Sequence, residues 1–254
     1  MQAVILAAGK GRRLRDPRGR PKCLRKVGGL SLVEHQLAAL TQVGISDVVI
    51  VVGFEHGQIR ESVGASARYV INKRFAETNS MYSFLLSLDL IRDDVIVMNS
   101  DLYFHPALLV RLQELDGDAL LYDSASGEED EQMKVRVDHG RLVEMSKVMR
   151  SDRVCGENVG MLRLSSTSMR HVADAARAIA AAGGERAWLA AAINQVAVDH
   201  PIRCVDVAGW PWVEIDFPED LARARSEVFP AVAGEMAMES YGLLGVHSMA
   251  GCAR

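Results

Sequence analysis

At 254 residues the chain is long enough to bury a sizeable core, as one large domain or two small ones. Its 49% hydrophobic and 24% charged content is that of an ordinary soluble globular protein, and a net charge of −4 argues against general nucleic-acid binding. No apolar run approaches the length of a membrane span, and the first apolar run is too short for a secretory leader, so a cytoplasmic protein without a membrane partner is expected.

The elements follow from periodicity. Val4-Ile5-Leu6, ending at Ala7-Ala8-Gly9, suits a buried parallel strand. Leu30 to Gly44 reads as a helix with Leu32, Val33, Leu37, Leu40 and Val43 on one stripe. Asp47 to Gly53 is a β-branched run, the look of a second buried strand, and a helix over His56–Val63 leads to a third strand over Ala67–Ile71. A helix from Asn79 to Leu90 precedes a fourth strand, Asp94 to Met98, which ends at Asn99-Ser100-Asp101. This alternation indicates a βαβ array with ligands at the carboxyl ends of its strands. The second half is more antiparallel. Short strands are expected over Ala119–Asp123, Lys134–Asp138, Leu142–Ser146 and Asn158–Leu164, with a hairpin turn at Asp138-His-Gly140. Ala-rich helices over Ser165–Ala182 and Glu185–Val196, strands over Val205–Val207 and Val213–Ile215, and a helix over Pro218–Val228 complete the pattern. Residues 1–230 thus read as a single domain and 231–254 as a loosely held tail. Cys23, Cys155, Cys204 and Cys252 are scattered and suggest neither a zinc site nor a disulfide framework.

The chemistry concentrates after the first strand. Gly9 and Gly11 remove side chains where the backbone turns, and nine Lys or Arg fall between Lys10 and Lys26 against one acid, Asp16. A glycine turn ringed by cations at a strand end is suited to a polyphosphate. The string Leu6-Ala7-Ala8-Gly9-Lys-Gly11-Arg-Arg13, with Pro21-Lys22 after it, resembles the signature of nucleotidyltransferases that join nucleoside triphosphates to phosphorylated acceptors. The resemblance implies an α/β, Rossmann-like, mainly parallel mixed sheet flanked by helices, with a small antiparallel acceptor-side subdomain (a GT-A-like fold). It also implies that the loop wraps the triphosphate and that Arg13 and Lys22 stabilise the transition state. Arg12 stands where the family usually has Ser or Thr.

Asp101, at a strand end, either caps the next turn or binds a cation, and a triphosphate brings Mg²⁺. In Trp212-Val-Glu-Ile-Asp-Phe-Pro-Glu-Asp-Leu221, alternation puts Glu214 and Asp216 on one side; Asp216 also suits the cap of the following helix. The resemblance makes Asp101 and Asp216 the ligands of one Mg²⁺, with Glu214 as a third contact. Asn72 to Ser83 is similar to the Asn-(six residues)-Asn-x-x-x-Ser stretch of cytidylyltransferases acting on phosphocholine or small phosphonates, which implies nucleotide binding by Asn72, Asn79 and Ser83 and CTP as the nucleotide. By its own physics Asn79 caps a helix. The superfamily holds the acceptor's phosphate with a lysine from the antiparallel region, here Lys147 or Lys134, and Gly156-Glu157-Asn158-Val-Gly160 resembles its acceptor-side loop. The acidic run Glu128 to Glu131 reads as a solvated loop, with contact to an ammonium-bearing acceptor as the alternative.

The expected activity is Mg²⁺-dependent transfer of CMP from CTP to a small phosphonate or phosphocholine-like acceptor, with release of pyrophosphate. The regions assigned to the acceptor, Met133–Met149 and Glu157–Leu164, contain no aromatic residue to cage a quaternary ammonium, which favours a phosphonate. Rival readings are a sugar-1-phosphate nucleotidylyltransferase, a nucleotide-binding regulator without chemistry and, more distantly, a glycosyltransferase. A homodimer stays open.

Overall fold

The computed structural model describes residues 1–14, 19–127 and 131–240, with 235–240 by their backbone alone. In chain order its elements are β1 (Gln2–Ala7), β2 (Lys26–Val27), β3 (Leu30–Ser31), α1 (Leu32–Gln42), β4 (Val48–Val52), α2 (His56–Val63), β5 (Arg68–Ile71), α3 (Ser80–Ser87), β6 (Val95–Asn99), β7 (Leu102–Phe104) and α4 (Ala107–Gln113). There follow β8 (Ala119–Asp123), β9 (Lys134–Asp138), β10 (Arg141–Ser146), β11 (Gly156–Leu164), α5 (Ser166–Ala181), α6 (Leu189–Ala197), β12 (Arg203–Asp206), β13 (Trp212–Glu214), α7 (Pro218–Arg223) and α8 (Phe229–Ser240).

A mixed nine-stranded sheet in the order β5-β4-β1-β6-β11-β8-β12-β10-β9 carries the fold. β5, β4, β1 and β6 are mutually parallel, as the βαβ reading requires. Their runs are continuously apolar because both faces are covered. Ala3, Ile5, Val48, Ile50 and Val52 pack with Val33 and Leu40 of α1, Ile59 of α2 and Leu108 and Leu112 of α4. Val4, Val49, Val51 and Val97 face Met81 and Phe84 of α3, Val172 of α5 and Ile193 of α6. β11 then runs antiparallel to β6 and β8. The antiparallel strands expected on the acceptor side extend this same sheet, and β9 returns to pair with β11, so that β11, β8, β12, β10 and β9 form a closed ring.

Several boundaries differ from the sequence reading for local reasons. Leu30 and Ser31 pair with β2, and Ser31 caps α1 in a reciprocal capping box with Glu34, so the helix begins at Leu32. α6 begins at Leu189 rather than near Glu185, with Trp188 at its cap position. Neither β7 nor α4 is visible in the sequence pattern. β7 is a three-residue strand that pairs antiparallel with β13. The C-terminal segment is helical across Ala231, where the tail was expected to begin, and α8 is described as far as Ser240. Val228 and Val232 join Leu14, Val27, Tyr103, Val213 and Ile215 in a third cluster beneath the β7–β13 ribbon. Residues 241–254 lie outside the described residues.

Candidate active site

β1 and β6 are adjacent and parallel, with Leu6 opposite Asn99, so the glycine loop and Asp101 leave the sheet at the same edge. Gly11 has a φ of +56°, and a Cβ there would meet the Lys22 side chain at 2.9 Å. The second glycine therefore serves backbone conformation and the close passage of Lys22 together. Nothing lies within 4 Å of a Cβ built on Gly9, which faces open space at the strand end. Pro21, with φ of −52°, opens the 3₁₀ turn over Lys22–Leu24 and aims Lys22 inward.

The β7–β13 ribbon supplies the remaining charge. Glu214 pairs with Leu102, and the Ile215 N–H donates to the Asp101 carbonyl at 3.0 Å, which lays Glu214 and Asp216 beside Asp101. The Lys22 ammonium lies between two carboxylates, 2.6 Å from Asp101 Oδ2 and 2.5 Å from Asp216 Oδ1. Burial opposes its charge, but Asp101, Asp216 and Glu214 together outweigh that and hold its pKa well above the ordinary lysine value. Burial likewise pushes at Asp216, and Lys22 and Arg13 reverse the effect, so its carboxyl lies below the usual range. Glu214 goes the other way: burial, then the negative charge of Asp101, raises it well above the usual range, and its Oε1 accepts from Asn99 Nδ2 at 3.2 Å. The Cys23 thiol in this wall is pushed up to about 12, first by burial and then by Asp101.

Asp216 does not cap α7. The Asp220 carboxylate accepts from the N–H groups of Asp216 and Phe217, at 2.9 and 2.8 Å, and leaves the Asp216 side chain to the cleft. Asp101 Oδ1 is buried and has no hydrogen-bond partner, an orphaned hard oxygen beside a second carboxylate. That donor set fits a divalent cation of the Mg²⁺ type. Among the described residues, however, no three His, Cys, Asp or Glu side chains are grouped as a metal site. Glu214 is held by Asn99, and Asp101 and Asp216 converge on Lys22.

A cavity of about 550 Å³ opens over these groups. Leu6, Ala7, Ala8, Gly9, Gly11, Arg13, Lys22, Asn72, Asn79, Ser83, Asp101, Lys147, Asn158, Glu214 and Asp216 all line it. At one end Asn72 is fully buried. Its amide donates to Thr78 Oγ1 and Ser83 Oγ, at 3.0 and 3.1 Å, and accepts from the Arg74 N–H, so it fixes the shape of the 72–83 segment. Asn79 caps α3 through the Ser80 N–H, as its position before the helix implies. This wall is fastened to the start of α6 by the paired Arg74–Glu185 bonds of 2.7 and 2.6 Å and by the Leu189 N–H on Ser80 Oγ.

Two acceptor-side candidates fall elsewhere. Lys134 is buried outside the cavity lining, and its ammonium donates to the Lys147 carbonyl at 3.3 Å, supporting the lysine that does face the cavity. Glu157 lines a smaller acidic chamber of about 230 Å³ on the far side of Glu214 and Asp216. Glu131 is the residue the sequence reading missed. Of the acidic run, Glu128–Asp130 lie outside the described residues, but Glu131 Oε2 bonds Arg13 Nη2 at 2.5 Å and Lys147 Nζ at 3.4 Å. Those two cations are anchored from behind, Arg13 over the Phe217 ring and Lys147 over the Trp188 ring.

Residues 3–202 match the model of the MobA-like NTP transferase domain. The chain belongs to that family. Among curated relatives of this MobA-like transferase, a bifunctional IPC transferase and DIPP synthase of Rubrobacter xylanophilus is 31% identical over 89% of the chain and 51% of its own length. A CMP-5'-(3-aminopropyl)phosphonate synthase of Streptomyces rubellomurinus is 38% identical over 44% of the chain and 19% of its own length. A choline-phosphate cytidylyltransferase of Streptococcus pneumoniae is 36% identical over 38% of the chain and 43% of its own length. The chain thus spans about half, or less, of the length of these relatives. The fold of the MobA-like chain is that of an inositol-1-phosphate CTP transferase from T. maritima, with a TM-score of 0.74 over 91% of this chain and 94% of that one at 23% identity.

Proposed function

We propose that the protein is a cytidylyltransferase that transfers CMP from CTP to a small phosphonate or phosphate monoester and releases pyrophosphate. The observation that carries this reading is Lys22 set between Asp101 and Asp216 at the end of a glycine loop, a charge arrangement with no use in a mere binding fold. Relatives named for inositol phosphate, aminopropylphosphonate and phosphocholine chemistry support CTP as the nucleotide.

The glycine loop would take the triphosphate, with Asn79 and Ser83 beside the base. Asp101 and Asp216 would hold Mg²⁺, which supplies charge neutralisation at the phosphates. An acceptor oxygen attacks the α-phosphorus in line with the departing pyrophosphate, and no side chain becomes covalently attached. Two polyanions must meet in this step, so the protein's task is positioning and neutralisation by Lys22, Arg13 and Lys147.

Glu131 occupies the place between Arg13 and Lys147 in which one phosphoryl oxygen would be shared by both cations. Glu131→Gln is therefore expected to lower KM for the anionic substrates by about 2–5-fold with kcat nearly unchanged, the scale of an exposed ion pair. Steady-state kinetics in both substrates would check this, and a raised KM would assign Glu131 to substrate binding instead.

The functional reading is tested by pyrophosphate release with CTP, UTP, ATP and dTTP against phosphonates, phosphocholine, inositol 1-phosphate and glucose 1-phosphate. Turnover confined to CTP with a phosphonate or a non-sugar phosphate is expected. A preference for glucose 1-phosphate with UTP or dTTP would move the protein to the sugar transferases, and no release with any pair would leave a regulator.

A further inference from the structure

The cavity has a second end that the phosphate chemistry does not use. β11 and β8 lie two and three places from β1 in the sheet, so their side chains stand roughly 10–14 Å from the glycine loop at ordinary strand spacing. There the wall is made by Leu120, Met133, Met145, Leu162, Leu189 and Ile193. All but Met133 are buried, and all six belong to one packed cluster or lie against it. The wall is also braced. Asn194 of α6 accepts from the Met145 N–H at 2.8 Å and donates to its carbonyl at 2.9 Å, which locks β10 to the helix that carries Leu189 and Ile193.

Part of the polar and aromatic surface nearest this end is already engaged. Asn158 Oδ1 accepts from the Gly160 N–H at 3.1 Å. The Lys147 ammonium stands 4.8 Å from the centre of the Trp188 ring, so one face of the ring at this end is taken by the protein's own cation. Phe75, at the other end, has Lys10 over it at 5.6 Å. A quaternary ammonium would therefore meet a single ring at this end rather than an aromatic cage, and Glu131, the cavity carboxylate beside Lys147, is already bonded to Arg13 and Lys147. A polyol would fare no better, because hydroxyls buried against leucine, isoleucine and methionine lose water without gaining partners.

From the braced apolar wall beyond Lys147, we infer that the acceptor is an organophosphonate or phosphate monoester whose organic group is uncharged and apolar. Its anionic head sits at Lys147, facing Arg13, and its short hydrocarbon body fills the chamber between β8, β10, β11 and α6. This inference rests on the transferase reading for its chemistry but not for its binding geometry.

The test is a homologous series of methyl-, ethyl- and n-propylphosphonate with CTP, against 2-aminoethylphosphonate, phosphocholine and inositol 1-phosphate. Each added methylene is expected to raise kcat/KM by about fourfold, from roughly 0.8 kcal/mol per buried methylene. n-Propylphosphonate should exceed the ammonium and polyol acceptors by more than tenfold. The near-isosteric variants Met133→Gln and Met145→Gln should flatten the series to less than twofold per methylene, and Met133, being only half-buried, is the one expected to lose less stability. A flat or falling series in the native protein, or a preference for 2-aminoethylphosphonate, phosphocholine or inositol 1-phosphate, overturns the inference. Calorimetric binding of the same phosphonates separates the two readings. Affinity that rises along the series without any pyrophosphate release would sink the transferase reading and keep the apolar chamber, while release without a chain-length trend would do the reverse.

Discussion

Lys22→Ala and Arg13→Ala are each expected to lower kcat by about 10²–10³, roughly 3–4 kcal/mol of transition-state stabilisation. Their effects on folding should differ, because their surroundings do. Arg13 is 41% exposed and leans on Phe217, so its removal should leave thermal stability almost unchanged. Lys22 is only 12% exposed and neutralises Asp101 and Asp216. Removing it leaves facing carboxylates in a partly buried site, an expected loss of about 2–3 kcal/mol at neutral pH, below the range for a fully buried pair because of the residual exposure. The pH dependence has a definite sign. The Lys22 pKa is raised on folding, so its contribution is complete below the ordinary lysine value and fades only as pH rises through the higher folded value. The Asp216 pKa is lowered, so its contribution is complete above the ordinary aspartate value and fades as pH falls through the lower folded one. The Lys22→Ala deficit should therefore be largest from about pH 5 to 10 and shrink near pH 3, where protonated acids no longer repel one another. Urea titrations at several pH values, beside single-turnover rates, would read both effects. Normal turnover in either variant would remove that residue from the transition state.

The parts of this site that the sequence displayed are those whose chemistry is local. A buried strand running into Gly9 and Gly11, a proline set before Lys22, and acids just past strand ends each declare themselves within a few residues. What joins them is not local. Asp216 reaches Asp101 only because β13 pairs with β7, and three residues, Leu102–Phe104, directly after a turn carry too short a pattern to be recognised as a strand. Lys134 and Lys147 are alike as isolated lysines near strands. Which of them faces the cavity depends on β9 folding back to pair with β11, the closure that buries Lys134. Glu131 looked like one member of a solvated acidic run because its partners, Arg13 and Lys147, lie 118 and 16 residues away in the chain (131 − 13 and 147 − 131). Asn72 resembles a ligand-binding amide in sequence, and in the fold its hydrogen bonds hold the 72–83 segment in shape. The apolar wall is likewise assembled from β8, β10, β11 and α6 and has no contiguous sequence pattern.

Asp101→Asn and Asp216→Asn are each expected to abolish Mg²⁺-dependent turnover, a loss of at least about 10³-fold, while nucleotide binding survives in part through the glycine loop. The two substitutions keep side-chain volume and replace one carboxylate oxygen by an amide nitrogen, which is a poor ligand for a hard cation. Neither should unfold the protein. Asp216 has no capping duty, since Asp220 accepts from the N–H groups at the start of α7, and each variant leaves Lys22 one aspartate as counter-charge. Asp101 is expected to show the larger loss of metal affinity because its Oδ1 is buried without a partner, so a cation bound there would relieve a desolvated acceptor. At Asp216 the carboxylate is more exposed, 28% against 17%, and shares Arg13 as well as Lys22. Metal binding measured by Mn²⁺ paramagnetic resonance, in the presence and absence of CTP, gives a readout that does not depend on catalysis. Two variants with reduced Mn²⁺ affinity and intact folding would place both acids at the metal. Full turnover of either at ordinary Mg²⁺, or unchanged Mn²⁺ affinity in both, would mean that Asp101 and Asp216 serve only as counter-charges to Lys22.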